Sequence, residues 1–108
     1  MPPRHYLLLE ANNQQLQSSP PEVAILPWGA TESHNYHLPY GTDILEASAI
    51  AEQSAAGATA AGASVVVLPV VPFGNDEQQL DQACAISIST TTAYALLRDV
   101  VRSLTKQG

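Results

Sequence analysis

Two short apolar runs punctuate the chain, and each is followed by a polar loop. Residues 22–28 form a nearly continuous apolar segment, and residues 64–71 form a second one that is rich in valine. Short β-branched runs of this kind are typical of strands that are covered on both faces of a sheet. We therefore predict two buried strands, with Pro27 marking the point at which backbone pairing of the first strand stops.

Two longer segments have the periodicity of helices. The first begins near Asp43, which has the spacing of an N-cap residue relative to Glu46, and it runs to about Gly57 or Gly62. Gly62 suits the C′ position of that helix. Its apolar stripe consists of Ile44, Leu45, Ala47, Ala51 and Ala55. The second helix is predicted over residues 91–105, and its apolar stripe consists of Tyr94, Leu97, Val101 and Leu104.

Two segments have weaker patterns. Residues 6–16 have helix-compatible spacing, which Asn12 and Asn13 weaken and which a Ser-Ser-Pro-Pro turn at residues 18–21 ends. Residues 83–89 fit a third short strand, with Ile86 and Ile88 on one face. The order strand, helix, strand, loop, helix predicts an α/β fold with a mostly parallel sheet and right-handed crossovers. The chain stops where another strand would begin, so we expect residues 1–108 to be the N-terminal portion of a single, larger domain.

Charge and composition restrict the partners. Ten acidic residues against four basic ones give a formal net charge of −6, and no basic stripe is interleaved with aromatic residues, so nucleic acid is not expected as a partner. The chain has no apolar run of membrane-spanning length and no secretory signal, so we expect no membrane association. The single cysteine, Cys84, cannot form an internal disulfide, and we expect it to be a small buried side chain in a cytoplasmic protein.

The loop between the first strand and the first long helix contains the candidate chemistry. Glu32, His34 and Asp43 place two carboxylates and one imidazole on a loop at the carboxyl end of a strand. Ligands usually bind at such loops in open α/β sheets, and divalent metals accept this mixture of oxygen and nitrogen ligands. The three residues therefore predict a metal site.

Each of these residues also has a simpler interpretation. Asp43 could be a helix N-cap alone, or it could combine that role with metal binding. Glu32 alone would usually be a solvated carboxylate, and His34 and His37 alone would more often be surface or packed histidines. The later acidic residues Asp76, Glu77 and Asp81 are expected to be solvated, with substrate contact as the alternative.

The motif around this loop resembles the creatinine amidohydrolase (creatininase) family. That family has a Gly-Ser/Ala-x-Glu-x-His-x-x-His-Leu-Pro-x-x-Thr-Asp signature after its first strand. The matching residues here are Gly29-Ala30-Thr31-Glu32-Ser33-His34, then His37-Leu38-Pro39 and finally Gly41-Thr42-Asp43. The resemblance extends more loosely to Leu68-Pro69 and Phe73-Gly74, so it covers nearly the whole chain but only the N-terminal part of a family member.

The resemblance implies a three-layer αβα fold and a metal-dependent amidohydrolase that cleaves a non-peptide amide, cyclic or linear. Glu32 would bind one metal, His34 a second, and Asp43 would bridge the two ions. Zinc or manganese would be the expected metal, with iron as an alternative, and His37 is a candidate substrate-binding residue. The partners implied are a small-molecule amide substrate and further copies of the chain in a homo-oligomer.

The chain departs from the family pattern in three places. The family's His-Gly-Pro-His segment is His34-Asn35-Tyr36-His37 here, and the loop after Gly74 lacks the usual Glu-His pair. A further ligand and the acid/base residue would lie beyond Gly108, so the catalytic residue stays unassigned and these 108 residues alone are expected to be inactive. Alternatives are a formamidopyrimidine nucleotide deformylase, a mycofactocin-precursor peptidase, or a non-catalytic remnant that binds a partner.

Overall fold

Two short parallel strands lie side by side in the computed structural model, which describes residues 4–108. Strand β1 spans Val23–Ile25 and strand β2 spans Val65–Val67, with Val23 opposite Val65 and Ile25 opposite Val67. The regular strands are shorter than the predicted segments because Pro27 and Pro69 have no N–H to donate. Pairing nevertheless resumes beyond both prolines, where the Gly29 N–H donates to the Val71 carbonyl at 2.8 Å.

The N-terminal segment pairs with the other side of β2 before it becomes helical. Leu7 forms a parallel bridge with Val67, and the Val67 N–H donates to the Tyr6 carbonyl at 2.7 Å. A 3-10 turn at Leu8–Glu10 follows, and then helix α1 at Asn13–Ser18. The sequence suggested that Asn12 weakens the helix, which was wrong. Asn12 is the N-cap of α1, because its side chain accepts the Gln15 N–H in a capping box.

Helix α2 spans Thr42–Ala60 and connects the two strands. Its N-cap is Gly41, with no side-chain cap, so the prediction that Asp43 is the N-cap was wrong: Asp43 lies in the first turn. The helix begins earlier because the Thr42 hydroxyl donates to the Pro39 carbonyl at 2.6 Å and stabilises the turn before it. Gly62 occupies the predicted C′ position with a φ of +96°.

The core lies between α2 and the sheet. It consists of Leu7, Ala51, Ala55 and Val67. The alanines let the helix approach the sheet closely, as their position in the predicted stripe suggested. Leu45, which was assigned to the same stripe, is 65% exposed, because it lies on the outward side of the first turn.

The last third of the chain has little regular structure before its final helix. The predicted strand at residues 83–89 is reduced to single bridges, from Ile86 to Thr31 and from Ser87 to Gly74. Cys84 adopts a positive φ of 61° and is exposed, so it interrupts the extended backbone and is not the buried side chain we expected. Helix α3 follows at Thr90–Lys106, and among the described residues none of its side chains is buried.

Candidate metal centre

Hydrogen bonds to the loop after β2 hold the loop that contains the candidate ligands. The Trp28 indole N–H donates to the Phe73 carbonyl at 2.9 Å, and the Thr31 hydroxyl donates to the Pro72 carbonyl at 2.7 Å. Both acceptors lie in the segment after β2, so the carboxyl ends of the two parallel strands form one platform. This is the edge at which α/β sheets usually bind ligands.

Asn35 preserves a tight turn at the point where the chain departs from the family pattern. Its φ is 60°, a left-handed conformation that asparagine tolerates better than most residues. The Asn35 side chain accepts the Tyr36 N–H at 2.8 Å, and His34 and Leu38 pair across the turn. The turn directs His34 inward, whereas His37 is exposed and lies outside the candidate site.

The structure brings the three predicted ligands together. One ligand atom from each of Glu32, His34 and Asp43 lies within 4.8 Å of the others, and all three residues are half-buried. His34 Nε2 is 3.3 Å from Asp43 Oδ2. Nitrogen and oxygen atoms bound tetrahedrally to zinc at about 2.0–2.1 Å would lie about 3.4 Å apart, so this pair has a separation that suits a shared cation.

A backbone contact orients the imidazole of His34. Its Nδ1 lies 3.2 Å from the Glu32 carbonyl oxygen, and in the tautomer that has the proton on Nδ1 it donates a hydrogen bond to that oxygen. In the neutral ring the lone pair is then on Nε2, the atom that faces Asp43. A histidine fixed through one nitrogen in this way presents the other to a metal.

Burial and neighbouring carboxylates perturb Glu32. Its Oε2 is buried without a hydrogen-bond partner. Desolvation raises the pKa of Glu32 above its usual value, and the nearby carboxylates of Asp76 and Asp43 raise it further. A cation at this point would offset both effects, since it would favour the ionised carboxylate and would contact the Oε2 atom that has no hydrogen-bond partner.

Asp76 is the site residue that the sequence interpretation missed. It was expected to be solvated, but it is 5% exposed and lies beside Glu32. Its neighbours Asn75 and Glu77 are exposed, so the polar run around it gives no sign of burial. The available signal was its position shortly after the second parallel strand, at the same edge of the sheet as the motif loop.

An open depression of about 420 Å³ adjoins the cluster. Asp43 and Glu46 line one side of it, and Trp28 and Ile50 supply apolar surface. Trp28 therefore contributes to the wall of this depression as well as to the hydrogen bond with Phe73 described above. A small molecule here would lie next to the carboxylate and imidazole groups.

The donor set fits a divalent cation on three observations of the structure. The ligand atoms converge, and one Glu32 oxygen is buried without a hydrogen-bond partner. The His34 Nδ1 contacts the backbone, so Nε2 faces the other ligands. A family model for creatininase (creatinine amidohydrolase) matches residues 10–108. The chain belongs to the creatininase family.

Two curated relatives of this creatininase-family chain are mycofactocin precursor peptide peptidases. The Mycobacterium tuberculosis protein is 32% identical over 98 residues, and the Mycolicibacterium smegmatis protein is 35% identical over 100 residues. The alignments cover 86% and 89% of this chain, but only 39% of each relative. The chain therefore spans about two-fifths of the length of these relatives.

Solved creatininase structures confirm the predicted fold. A proposed creatinine amidohydrolase from Bacteroides fragilis superposes with a TM-score of 0.83 at 36% identity, covering 96% of this chain and 42% of that one. A creatinine amidohydrolase (creatininase) superposes with a TM-score of 0.81 at 24% identity, covering 95% and 41%. At 24% identity, this second superposition supports a shared fold and nothing about activity. Helices and parallel strands here agree with the predicted αβα class.

Hydropathy of the helices adds one further observation. Within residues 4–108, no helix combines the length and the apolar character that crossing a lipid bilayer requires.

Proposed function

We propose that the protein is a divalent-metal-dependent hydrolase of amide C–N bonds, with zinc or manganese as its metal and iron as an alternative. In the reaction, water adds to the amide carbon, the C–N bond breaks, and the nitrogen leaves with a proton. The observation that best supports the proposal is the convergence of Glu32, His34 and Asp43 beside an open depression. Membership of a family of amide hydrolases supports it independently.

Each of the three side chains has a distinct task in holding the metal. Glu32 supplies a buried carboxylate oxygen, and His34 supplies Nε2, which its Nδ1 contact with the backbone orients. Asp43 lies in the first turn of α2, where the helix dipole favours a negative charge, and it faces His34. When bound, a divalent cation polarises the amide carbonyl and makes water a nucleophile near neutral pH.

The depression next to the cluster would accept the substrate. Trp28 and Ile50 offer apolar surface, while Asp43 and Glu46 form its polar side. A small amide, cyclic or linear, suits a depression of this size and the name of the family. A second candidate is a peptide substrate, because the two curated relatives are mycofactocin precursor peptide peptidases.

The test uses the protein as it is expressed from its gene, freed of metal and titrated with Mn²⁺ or Zn²⁺. We expect metal binding that Asp43→Asn and His34→Ala weaken and that His37→Ala, on the exposed side of the same turn, leaves unchanged. Asparagine keeps the shape of Asp43 but is a poor metal bridge. Because Gly41 is the N-cap, Asp43→Asn should leave the helix content measured by circular dichroism unchanged.

Hydrolysis is then measured on creatinine and on a short linear peptide, with and without metal. Metal-dependent C–N cleavage, measured as a new carboxylate from either substrate, supports the proposal and selects between the two candidates. Equal metal binding by wild type and both ligand variants would overturn the assigned site. Tight metal binding without cleavage of any amide would favour the alternative of a non-catalytic, partner-binding protein.

A further inference from the structure

Asp76 is a buried acid, and one oxygen of its side chain has no hydrogen-bond partner. The residue is 5% exposed, and its Oδ2 is buried without a hydrogen-bond partner. Isolated burial of a carboxylate is costly, and native structures almost always pair such groups or place them against a metal. A group of this kind therefore needs a specific explanation.

The backbone around Asp76 is held in place, so its inward orientation does not result from a loose loop. The Asp76 N–H donates to Ser87 Oγ at 2.9 Å, and its carbonyl accepts the Gln79 N–H at 2.8 Å. The Ile88 N–H donates to the Gly74 carbonyl at 2.9 Å. These three hydrogen bonds therefore fix the loop on either side of the buried carboxylate.

The Asp76 loop also lies directly against the loop that contains the predicted ligands. A Cβ atom built on Gly74 would be 3.3 Å from the Gly29 carbonyl oxygen and 3.8 Å from Asp76 Oδ1. The Asp76 carboxyl interacts with that of Glu32, whose own Oε2 is buried and unpartnered. Two carboxylates from different loops thus interact, and each has one buried oxygen without a hydrogen-bond partner.

Within residues 4–108, no ion pair joins a cationic side chain to either of these two acids. Among residues 4–108, the ion pairs of arginine join Arg4 to Glu10 and Glu52, and Arg98 and Arg102 to Asp99. None of these pairs includes Glu32 or Asp76. A divalent cation would satisfy both free oxygens at once, since carboxylates from separate loops are common ligands of such ions.

We propose that Asp76 is a further ligand of the divalent cation that Glu32 binds, so that the loop after β2 completes a site that the motif loop begins. This inference rests on the proposed metal centre and adds a residue that its motif does not contain. Asp76 is outside the tight cluster of Glu32, His34 and Asp43, so it reaches the site from the side of Glu32.

The experiment compares Mn²⁺ binding by wild type, Asp76→Asn and Asp81→Asn, using the metal-free protein as it is expressed from its gene. Asp81 is an exposed acid of the same loop and provides a matched loss of charge. We expect Asp76→Asn to weaken the Mn²⁺ affinity by about 10-fold to 100-fold, the range found for residues that support metal sites, and Asp81→Asn to leave it unchanged. The relaxation rate of water protons caused by bound Mn²⁺ should be higher in Asp76→Asn than in wild type, because a water molecule replaces the lost oxygen ligand.

A second measurement does not depend on the folding of the variant. Anomalous diffraction from wild-type crystals soaked in Mn²⁺ should place a metal peak within ligand distance of Asp76 Oδ2. Unchanged affinity and relaxation in Asp76→Asn, or a metal peak beside Glu32 that Asp76 does not contact, would overturn this inference alone. Failure of the wild type to bind Mn²⁺ or Zn²⁺ at all would overturn the proposed metal centre with it.

Discussion

Gly29 lies directly against the backbone of Ile44. A Cβ atom built on Gly29 would be 2.9 Å from Ile44 Cα and 3.0 Å from the Ile44 backbone nitrogen, so only glycine allows this approach. The contact joins the end of β1 to the first turn of α2. It therefore fixes the distance between the loop that contains Glu32 and His34 and the helix that contains Asp43.

Gly29→Ala should both destabilise the protein and weaken metal binding. The added methyl group meets backbone atoms, which cannot rotate away, so the first turn of α2 must move. Overpacking of this kind costs about 1–3 kcal/mol. Urea unfolding gives the change in the free energy of unfolding, and Mn²⁺ titration gives the change in affinity.

Gly57→Ala is the matched control. Gly57 lies within α2, and a Cβ atom there would meet nothing within 4 Å. Alanine should increase stability by about 0.5–1 kcal/mol, because it restricts the unfolded chain and favours the helix. If the two substitutions had the same effect, the close contact with Ile44 would not constrain the site.

The sequence predicts those parts of the fold that have a regular pattern. Apolar runs located both strands, and the spacing of Glu32, His34 and Asp43 identified side chains that the structure brings within 4.8 Å. Their role as metal ligands stays a prediction, as does that of His37 in substrate binding. The site can be recognised because its parts lie on one short loop and at the start of the helix that follows it.

The features that were missed depend on contacts between irregular segments. Asp76 is buried because its loop packs against the motif loop and donates to Ser87, and neither contact has a periodic signature. The same applies to residues 83–89, where alternating isoleucines suggested a strand but the positive φ of Cys84 breaks it. Asp43 looked like an N-cap, but the N-cap is Gly41, so the helix begins two residues earlier, after a turn that the Thr42 hydroxyl stabilises.

Thr31→Val tests whether the two loops are coupled through the Thr31 hydroxyl. Valine keeps the shape but removes the donor to the Pro72 carbonyl, which is 2.7 Å away and part-buried. Loss of a hydrogen bond of this type costs about 0.5–1.5 kcal/mol. We expect that decrease in the free energy of unfolding, together with weaker Mn²⁺ binding because the platform loosens.

Thr59→Val provides the comparison, since Thr59 is exposed near the end of α2. It makes the same chemical change away from both loops, so metal affinity should stay at the wild-type value. A Thr31→Val protein that was as stable and bound Mn²⁺ as tightly as wild type would show that the hydrogen bond does not organise the site.

Glu32→Gln should change the pH dependence of stability in the metal-free protein. Folding raises the pKa of Glu32 above the reference value of 4.5, chiefly through desolvation. The folded state then binds a proton more tightly than the unfolded state, so this contribution is fully present below pH 4.5 and is lost as pH rises through the folded pKa. Glutamine stays neutral, so the stability of the variant relative to wild type should increase with pH.

Urea unfolding at intervals from about pH 4 to about pH 8 measures that difference, with other titrations cancelling between the two proteins. Glu22→Gln, at an exposed glutamate just before β1, is the control for the loss of a carboxylate away from the site. Saturating Mn²⁺ should reverse the order at neutral pH, because the cation stabilises only the ionised wild type. A constant difference at every pH would contradict the raised pKa of Glu32.

Ala55→Leu tests the packing that supports the site from beneath. Ala55 is fully buried in the cluster with Leu7, Ala51 and Val67, so a larger side chain has no room between α2 and the sheet. The expected cost is about 1–3 kcal/mol of overpacking.

Ala60→Leu, at the exposed last residue of the same helix, makes the same change with little difference in helix propensity and should alter stability by less than about 0.5 kcal/mol. Because α2 also supplies Asp43, lifting the helix from β2 should weaken Mn²⁺ binding in Ala55→Leu but not in Ala60→Leu. Equal urea midpoints for the two variants would show that α2 is not seated on β2 through its alanine face.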